Sequence, residues 1–344
     1  MIPGTPQIRH LTPADWQQAL RDCVREPQEL VESLGLGEEW VEPARRAAEL
    51  FPLRVPRSYL ARMRRGDPGD PLLRQVLPLA EETLDTPGYV ADPVGDLQAL
   101  AGPGLLHKYH GRALLVTTGA CAIHCRYCFR REFPYAEQHA GKQSFAPSLD
   151  VIRNDPSVTE VLLSGGDPLT LGDRRLAALL ADIEAIPHVR RVRVHTRLPV
   201  VLPERIDAGF VEAWTSTRRL QRVMVIHANH AQELRDAEDV HAALCALKDC
   251  GTTLLNQSVL LRGVNDSVPA LADLSEALFA AGVLPYYLHV LDRVRGAAHF
   301  DLPEATAMEL HAGLTAQLPG YLVPRLVREV PGADSKTMLQ PASR

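Results

Sequence analysis

The chain has 344 residues, 46% of them hydrophobic and 23% charged, which is the composition of an ordinary folded protein with room for one α/β barrel and an added segment. A net charge of −5 excludes the broad positive footprint of a nucleic-acid binder. No apolar run nears the roughly 20 residues a membrane helix needs, and the opening MIPGTPQIRHLTPADW lacks the apolar centre of a signal peptide, so a cytoplasmic protein with no membrane partner is expected.

Residues 1 to 104 predict a helical region interrupted by proline. Thr12-Pro13-Ala14-Asp15 matches a helix N-cap followed by proline at the first helical position. Gly66-Asp67-Pro68, Pro87-Gly88 and Pro103-Gly104 mark turns. Short β-rich runs then appear at 113–118, 160–163, 189–195, 222–227, 254–260 and 286–291. Amphipathic stretches at 171–186, 203–216, 231–249 and 268–281 lie between most of them. Such alternation predicts a parallel sheet of βαβ units, closed into a full or partial barrel or left as a doubly wound sheet. A helix at 303–318, a β-like run at 321–328 and a Gly/Pro-rich tail carrying Lys336 complete the chain. The expected organisation is therefore an N-terminal helical region (1–104), a barrel core (105–302) and a C-terminal segment (303–344).

The polar residues able to do chemistry cluster at the C-terminal ends of the expected strands, where ligands of parallel α/β folds bind. Cys121 follows the first strand and Ser164-Gly165-Gly166-Asp167 the second. His195 and Arg197 end the third, His227 and Asn229 the fourth, Gln257 falls on the fifth, and Asp292 ends the sixth.

Cys121, Cys125 and Cys128 carry the sharpest signal. Three thiolates at this spacing can each take one iron of a cubane cluster and leave the fourth iron open for chemistry. A structural zinc site would need a fourth ligand, usually from a second cysteine pair, and none exists. Cys23, Cys245 and Cys250 read as core or surface thiols. The Ser164–Asp167 turn permits close backbone approach to a ligand, and read alone is equally a tight strand-to-helix turn. Among 37 basic residues only Lys108, Lys142, Lys248 and Lys336 are lysines, which limits any imine chemistry to four candidates.

The cysteine spacing resembles that of the radical S-adenosylmethionine superfamily. The segments CRYCFRR, LLSGGDPL, RLPVVLP, NQSVLLRGVND and PYYLHVLD narrow the resemblance to the lysine 2,3-aminomutase family. LFPLRVPRSYLARM, DPLLRQVLP, PGLLHKYHGRALL and GYLVPRLVREV are similar to its short branch, which makes (R)-β-lysine for modification of elongation factor P. The likeness runs from about residue 50 to 338. It implies a partial (β/α)6 TIM-like barrel of the radical SAM type, and an isomerase acting by intramolecular amino transfer on L-lysine.

Further expectations come from the resemblance alone. A [4Fe-4S] cluster would sit on Cys121, Cys125 and Cys128, fed by a one-electron reductant such as flavodoxin or ferredoxin. S-adenosylmethionine would lie beside Tyr127 and the Ser164, Gly165, Gly166, Asp167 turn, with His227 and Gln257 near its adenosyl group. Pyridoxal phosphate would be bound through Lys336, with Lys108 and Arg112 turned toward it. Arg130 would grip the substrate carboxylate; Asp292 and Glu329 would receive the substrate ammonium, Glu329 standing where larger members carry aspartate. The β-lysine product would pass to an elongation factor P ligase. Ser267 follows Val264-Asn265-Asp266 where larger members place a zinc-binding cysteine, and no cysteine follows Cys250, so that zinc is expected to be missing. Bland alternatives are a solvated tail lysine at 336 and strand-end charges at 292 and 329 paired with neighbouring arginines. A related aminomutase for another amino acid, and a non-catalytic iron–sulfur binding module, are the competing functions.

Overall fold

Ten strands form one sheet, in the order in which the chain makes them, in a computed structural model that describes residues 13–138 and 144–340, with side chains from residue 16 onward at the N-terminus. The Thr12 cap and the signal-peptide reading of the first twelve residues lie outside the described residues, as does Lys142. The strands are β1 (Leu100–Gly102), β2 (Leu105–Tyr109), β3 (Arg112–Thr118), β4 (Glu160–Gly165), β5 (Arg191–Thr196), β6 (Gln221–Ile226), β7 (Thr253–Val259), β8 (Leu284–His289), β9 (Arg325–Arg328) and β10 (Thr337–Met338).

From β3 to β9 every neighbouring pair is parallel, whereas β1, β2 and β3 pair antiparallel with one another, as do β9 and β10. The result is a partial TIM-like barrel with antiparallel additions at both edges. All six expected strands form, and the expected β-like run at 321–328 supplies a seventh parallel strand, β9, beside β8. The first hairpin differs from expectation. Pro103-Gly104, read as a break, is the turn joining β1 to β2, and Gly104 sits at φ +62°, where a side chain would be strained. A turn signal marks a reversal without telling whether strands or helices flank it.

Helices at Asp173–Glu184, Ala208–Trp214, Glu238–Asp249 and Val268–Ala280 cross between the strands. Asp207 delays the second of these, because its carboxylate accepts from Phe210 N and starts the helix only at Ala208. Along β5 burial alternates strictly: Val192, Val194 and Thr196 point to the helices, and Arg191, Arg193 and His195 to the other face. The outward face packs with Leu176, Leu180, Phe210, Trp214 and Leu244 into one core. Leu30, Leu34, Leu72 and Leu73 of the N-terminal region belong to that same core, so this region is packed onto the barrel. No helix among the described residues is long and apolar enough to cross a membrane.

Candidate functional site

A cavity of about 310 Å³ opens at the C-terminal ends of the parallel strands. Every residue to which the family resemblance gives a role lines it: Cys121, Cys125, Cys128, Tyr127, Arg130, the Ser164–Asp167 turn, His227, Gln257, Asp292, Glu329, Lys336, Lys108 and Arg112. Asn229 does not, and is fully buried with Nδ2 donating to Tyr127 OH at 2.6 Å. Residues more than 200 positions apart meet here because each parallel strand delivers its last residues to the same rim.

The three cysteines are free thiols on the loop after β3. The N-terminal region holds that loop in place. Arg126 N donates to Gln75 O at 2.9 Å and His124 N to Arg54 O at 3.0 Å. Arg126, fully buried, makes a bidentate pair with the buried Glu82 at 2.8 and 2.6 Å, and Arg131 adds a third contact at 2.9 Å. Burial pushes the Cys121 thiol well up and that of Cys128 to about 11, so the thiolate forms need a cationic partner. Arg197 offers one to Cys125, its Nη1 standing 2.8 Å from the sulfur. Three unpaired cysteines facing one cavity, one of them already accepting a charged donor, suit the three-thiolate set of a cubane cluster.

The glycine turn works differently from expectation. Gly166 N donates to Thr118 O and Asp167 N to Ala120 O, both at 2.7 Å, so these N–H groups clamp the cysteine loop and are not free for a carboxylate. A Cβ on Gly166 would stand 2.3 Å from Ala120 O, and one on Gly165, at φ +116°, 2.6 Å from Thr118 O. The pair therefore lets β4 and the cysteine loop touch. Asp167 is likewise engaged within the fold, accepting from Thr196 Oγ1, Arg197 N and Leu169 N, with burial pushing its carboxyl up to about 6. Gly166→Ala should displace the cysteine loop, costing about 1–3 kcal/mol of stability and most of the bound iron. Iron assay and thermal melting check this, and a fully loaded variant with an unmoved melting point would count against it.

At the other end of the cavity charges meet in a chain. Lys336 Nζ donates to Glu329 Oε2 at 2.5 Å, and Tyr109 OH donates to Glu329 Oε1 at 2.5 Å. Burial pushes the Glu329 carboxyl up, but Lys336 and these hydrogen bonds outweigh it and hold the group below its ordinary value. Lys108 Nζ lies 2.6 Å from Asp96 Oδ1 and 2.7 Å from Val94 O, and Arg130 Nε donates to Asp96 Oδ2 at 2.6 Å. Arg130 Nη1 donates to Ser164 Oγ at 3.0 Å, while its Nη2 makes no hydrogen bond among the described residues. Arg112 stacks over the Tyr109 ring at 4.7 Å. Asp292 has no side-chain hydrogen bond or ion pair among the described residues, and burial pushes its carboxyl up to about 7. Neither Asp292 nor Glu329 pairs with a neighbouring arginine, and Lys336 is no solvated tail residue.

Tyr127 is buried between the ends: its ring stacks on His227 at 5.7 Å and its OH lies 2.8 Å from His227 Nε2. Burial and the nearby Arg197 push His227 down to about 3, so it stays neutral. Gln257 faces the cavity from β7.

Several lining residues escaped the sequence reading. Asp96 lies in the N-terminal region expected to be helical with proline interruptions, and nothing local signals that it anchors Arg130 and Lys108. Arg193 faces the cavity from within β5, two residues before His195, and Tyr287 and His289 face it from β8, two residues apart from each other. That period of two, in strands whose inner face is a cavity, was the available signal. His195 and His289 each carry a buried Nε2 without a partner among the described residues, and burial keeps both neutral. With the Lys336 ammonium acting on both, these orphaned polar atoms fit an anionic cofactor with ring and phosphate acceptors.

No protein-family model matches the chain. A protein from Escherichia coli (strain K12) named L-lysine 2,3-aminomutase is 49% identical over 326 residues, 94% of each chain. One of the same name from Clostridium subterminale is 35% identical over 335 residues, 95% of this chain and 78% of that one. Among solved structures, Streptococcus suis SuiB bound to S-adenosylmethionine aligns over 68% of this chain and 54% of that one, at 13% identity and a TM-score of 0.47.

Proposed function

This chain belongs to the L-lysine 2,3-aminomutase family, and on that premise we propose that it moves the amino group of L-lysine from the α- to the β-carbon, making (R)-β-lysine for the modification of elongation factor P. The observation that carries this reading is one cavity that joins three free cysteines, Lys336 and the unpartnered Asp292. When bound, a [4Fe-4S] cluster, S-adenosylmethionine and pyridoxal phosphate supply the electron, the carbon radical and the carrier for the migrating nitrogen.

The chain's own residues do the rest. Cys121, Cys125 and Cys128 would hold the cluster, and Lys336 the pyridoxal phosphate, with Lys108 and Arg112 adding positive charge near it. Arg130 is fixed by Asp96 through Nε, which leaves Nη2 free to meet the substrate carboxylate. Asp292 and Glu329 would balance the side-chain ammonium at the far end, selecting lysine over an amino acid with a neutral or acidic end. The buried walls exclude water from a reactive radical. A ligase for elongation factor P as recipient of the product, and flavodoxin or ferredoxin as electron donor, extend the same reading. It is supported by the branch-like segments and by the mutual 94% coverage with the Escherichia coli relative.

Anaerobic assay of cluster-loaded protein with pyridoxal phosphate, S-adenosylmethionine, dithionite and L-lysine tests the proposal. Chromatographically resolved (R)-β-lysine is expected. Deoxyadenosine without β-lysine would sink lysine as substrate, and neither product from fully loaded protein would favour the non-catalytic iron–sulfur module.

Asp292 also makes the reaction pH-dependent. Its carboxylate binds an ammonium only when ionised, and its carboxyl sits at about 7, so KM for lysine should fall as pH rises through 7. Asp292→Asn should raise KM roughly tenfold or more, a loss of about 1.4 kcal/mol, and flatten that dependence. A variant keeping the wild-type KM and pH profile would remove Asp292 from substrate binding.

A further inference from the structure

We propose that Arg197 is a positioning residue for the iron–sulfur cluster, raising the potential at which the cluster accepts an electron by donating a hydrogen bond to Cys125. The role rests on the cluster reading above. Arg197 opens the Arg-Leu-Pro-Val-Val-Leu-Pro segment directly after β5 and is only 5% exposed. Its Nη1 donates to Cys125 Sγ at 2.8 Å and to Tyr127 OH at 2.9 Å. Its Nη2 donates to Gln75 Oε1 at 2.6 Å, Glu233 Oε2 at 2.9 Å and Tyr59 OH at 3.0 Å, and its backbone N to Asp167 Oδ2 at 2.7 Å.

Four separate parts of the chain thus hold one guanidinium with its edge toward a cysteine sulfur. A planar fork transmits that restraint: with Nη2 pinned by Gln75 and Glu233, the direction of Nη1 is set. Glu233 is itself fully buried and fixed, accepting from Asn229 N, His230 N and Gln75 Nε2. Such a buried ion pair contributes little to stability compared with an apolar replacement, so its placement against Cys125 asks for another use.

Reduction of a cluster adds one negative charge, shared with its thiolates. A cationic donor on a sulfur stabilises that state and raises the potential, and a carboxylate behind it acts the opposite way. Arg197 and Glu233 should therefore shift the potential with opposite signs.

The test is a mediated redox titration, followed by electron paramagnetic resonance, of cluster-loaded full-length protein and its Arg197→Met, Arg197→Lys and Glu233→Gln variants. Arg197→Met should weaken one-electron reduction about tenfold, equal to roughly 59 mV more negative at one electron. Glu233→Gln should move the potential upward, and Arg197→Lys downward by less than Arg197→Met. A purely structural role would lower iron content and melting temperature without opposed shifts in potential. If Arg197→Met fails to load, Arg197→Lys and Glu233→Gln decide, because both keep a positive charge at the site. Loaded variants with wild-type potentials, or shifts of one sign, would overturn the role of Arg197. Wild-type protein that assembles no cluster would instead overturn the cluster reading.

Discussion

Replacing Lys336 with methionine should abolish β-lysine formation, by about a thousandfold or more, or some 4 kcal/mol of barrier, while iron content stays intact. Lys336 Nζ enters the cavity and lies 5.9 Å from the Tyr287 ring centroid. Lys108, the other described lysine that lines the cavity, is not placed to take over, because its Nζ is tied to Asp96 and Val94 O at 2.6 and 2.7 Å. The remaining described lysine, Lys248, sits in the last turn of the Glu238–Asp249 helix, away from the cavity. Loss of the visible absorbance of bound pyridoxal phosphate should accompany loss of turnover. Near-wild-type turnover by the methionine variant would remove Lys336 from the reaction.

Removing Glu82 should damage the protein far from any substrate contact. Its carboxylate is fully enclosed by Arg126 and Arg131, which are themselves almost wholly buried. Glu82→Ala leaves two guanidinium charges without a counter-charge, a change worth about 3–5 kcal/mol. Arg126 neighbours Cys125 in sequence and its backbone is bonded to Gln75, so the iron content should fall with stability. Denaturant unfolding and iron assay read both effects, and a wild-type midpoint with full iron would refute the account. Replacing both partners of the pair with apolar residues should cost less than replacing Glu82 alone, because no buried charge is then left unpaired.

Much of the fold was legible because local pattern and tertiary outcome agree in its centre. Each β-rich run between residues 113 and 291 became a parallel strand, since its apolar residues face helices whose own apolar stripes were visible. The cysteine spacing and the lone tail lysine were legible for a similar reason. Each is a short motif whose meaning depends on neighbours in sequence, and strand ends in a parallel sheet deliver such motifs to one rim.

Where the pattern depended on distant partners, sequence was silent. The β1–β2 hairpin was hidden by a turn signal common to helices and strands. Gly165 and Gly166 looked suited to a ligand, and only their closeness to Thr118 O and Ala120 O shows that they seat the cysteine loop. By itself the sequence determined the parallel α/β sheet, the three-cysteine loop and the short inventory of residues able to do the chemistry, and family resemblance added the barrel. Tertiary structure alone decided their pairing: Asp96 with Arg130 and Lys108, Glu329 with Lys336 and Tyr109, Arg197 with Cys125, and Asp292 with no described partner. The reason is physical. Secondary structure follows from neighbours a few positions apart, whereas the charge state and direction of a buried polar group depend on atoms that folding brings from as far as 220 positions away.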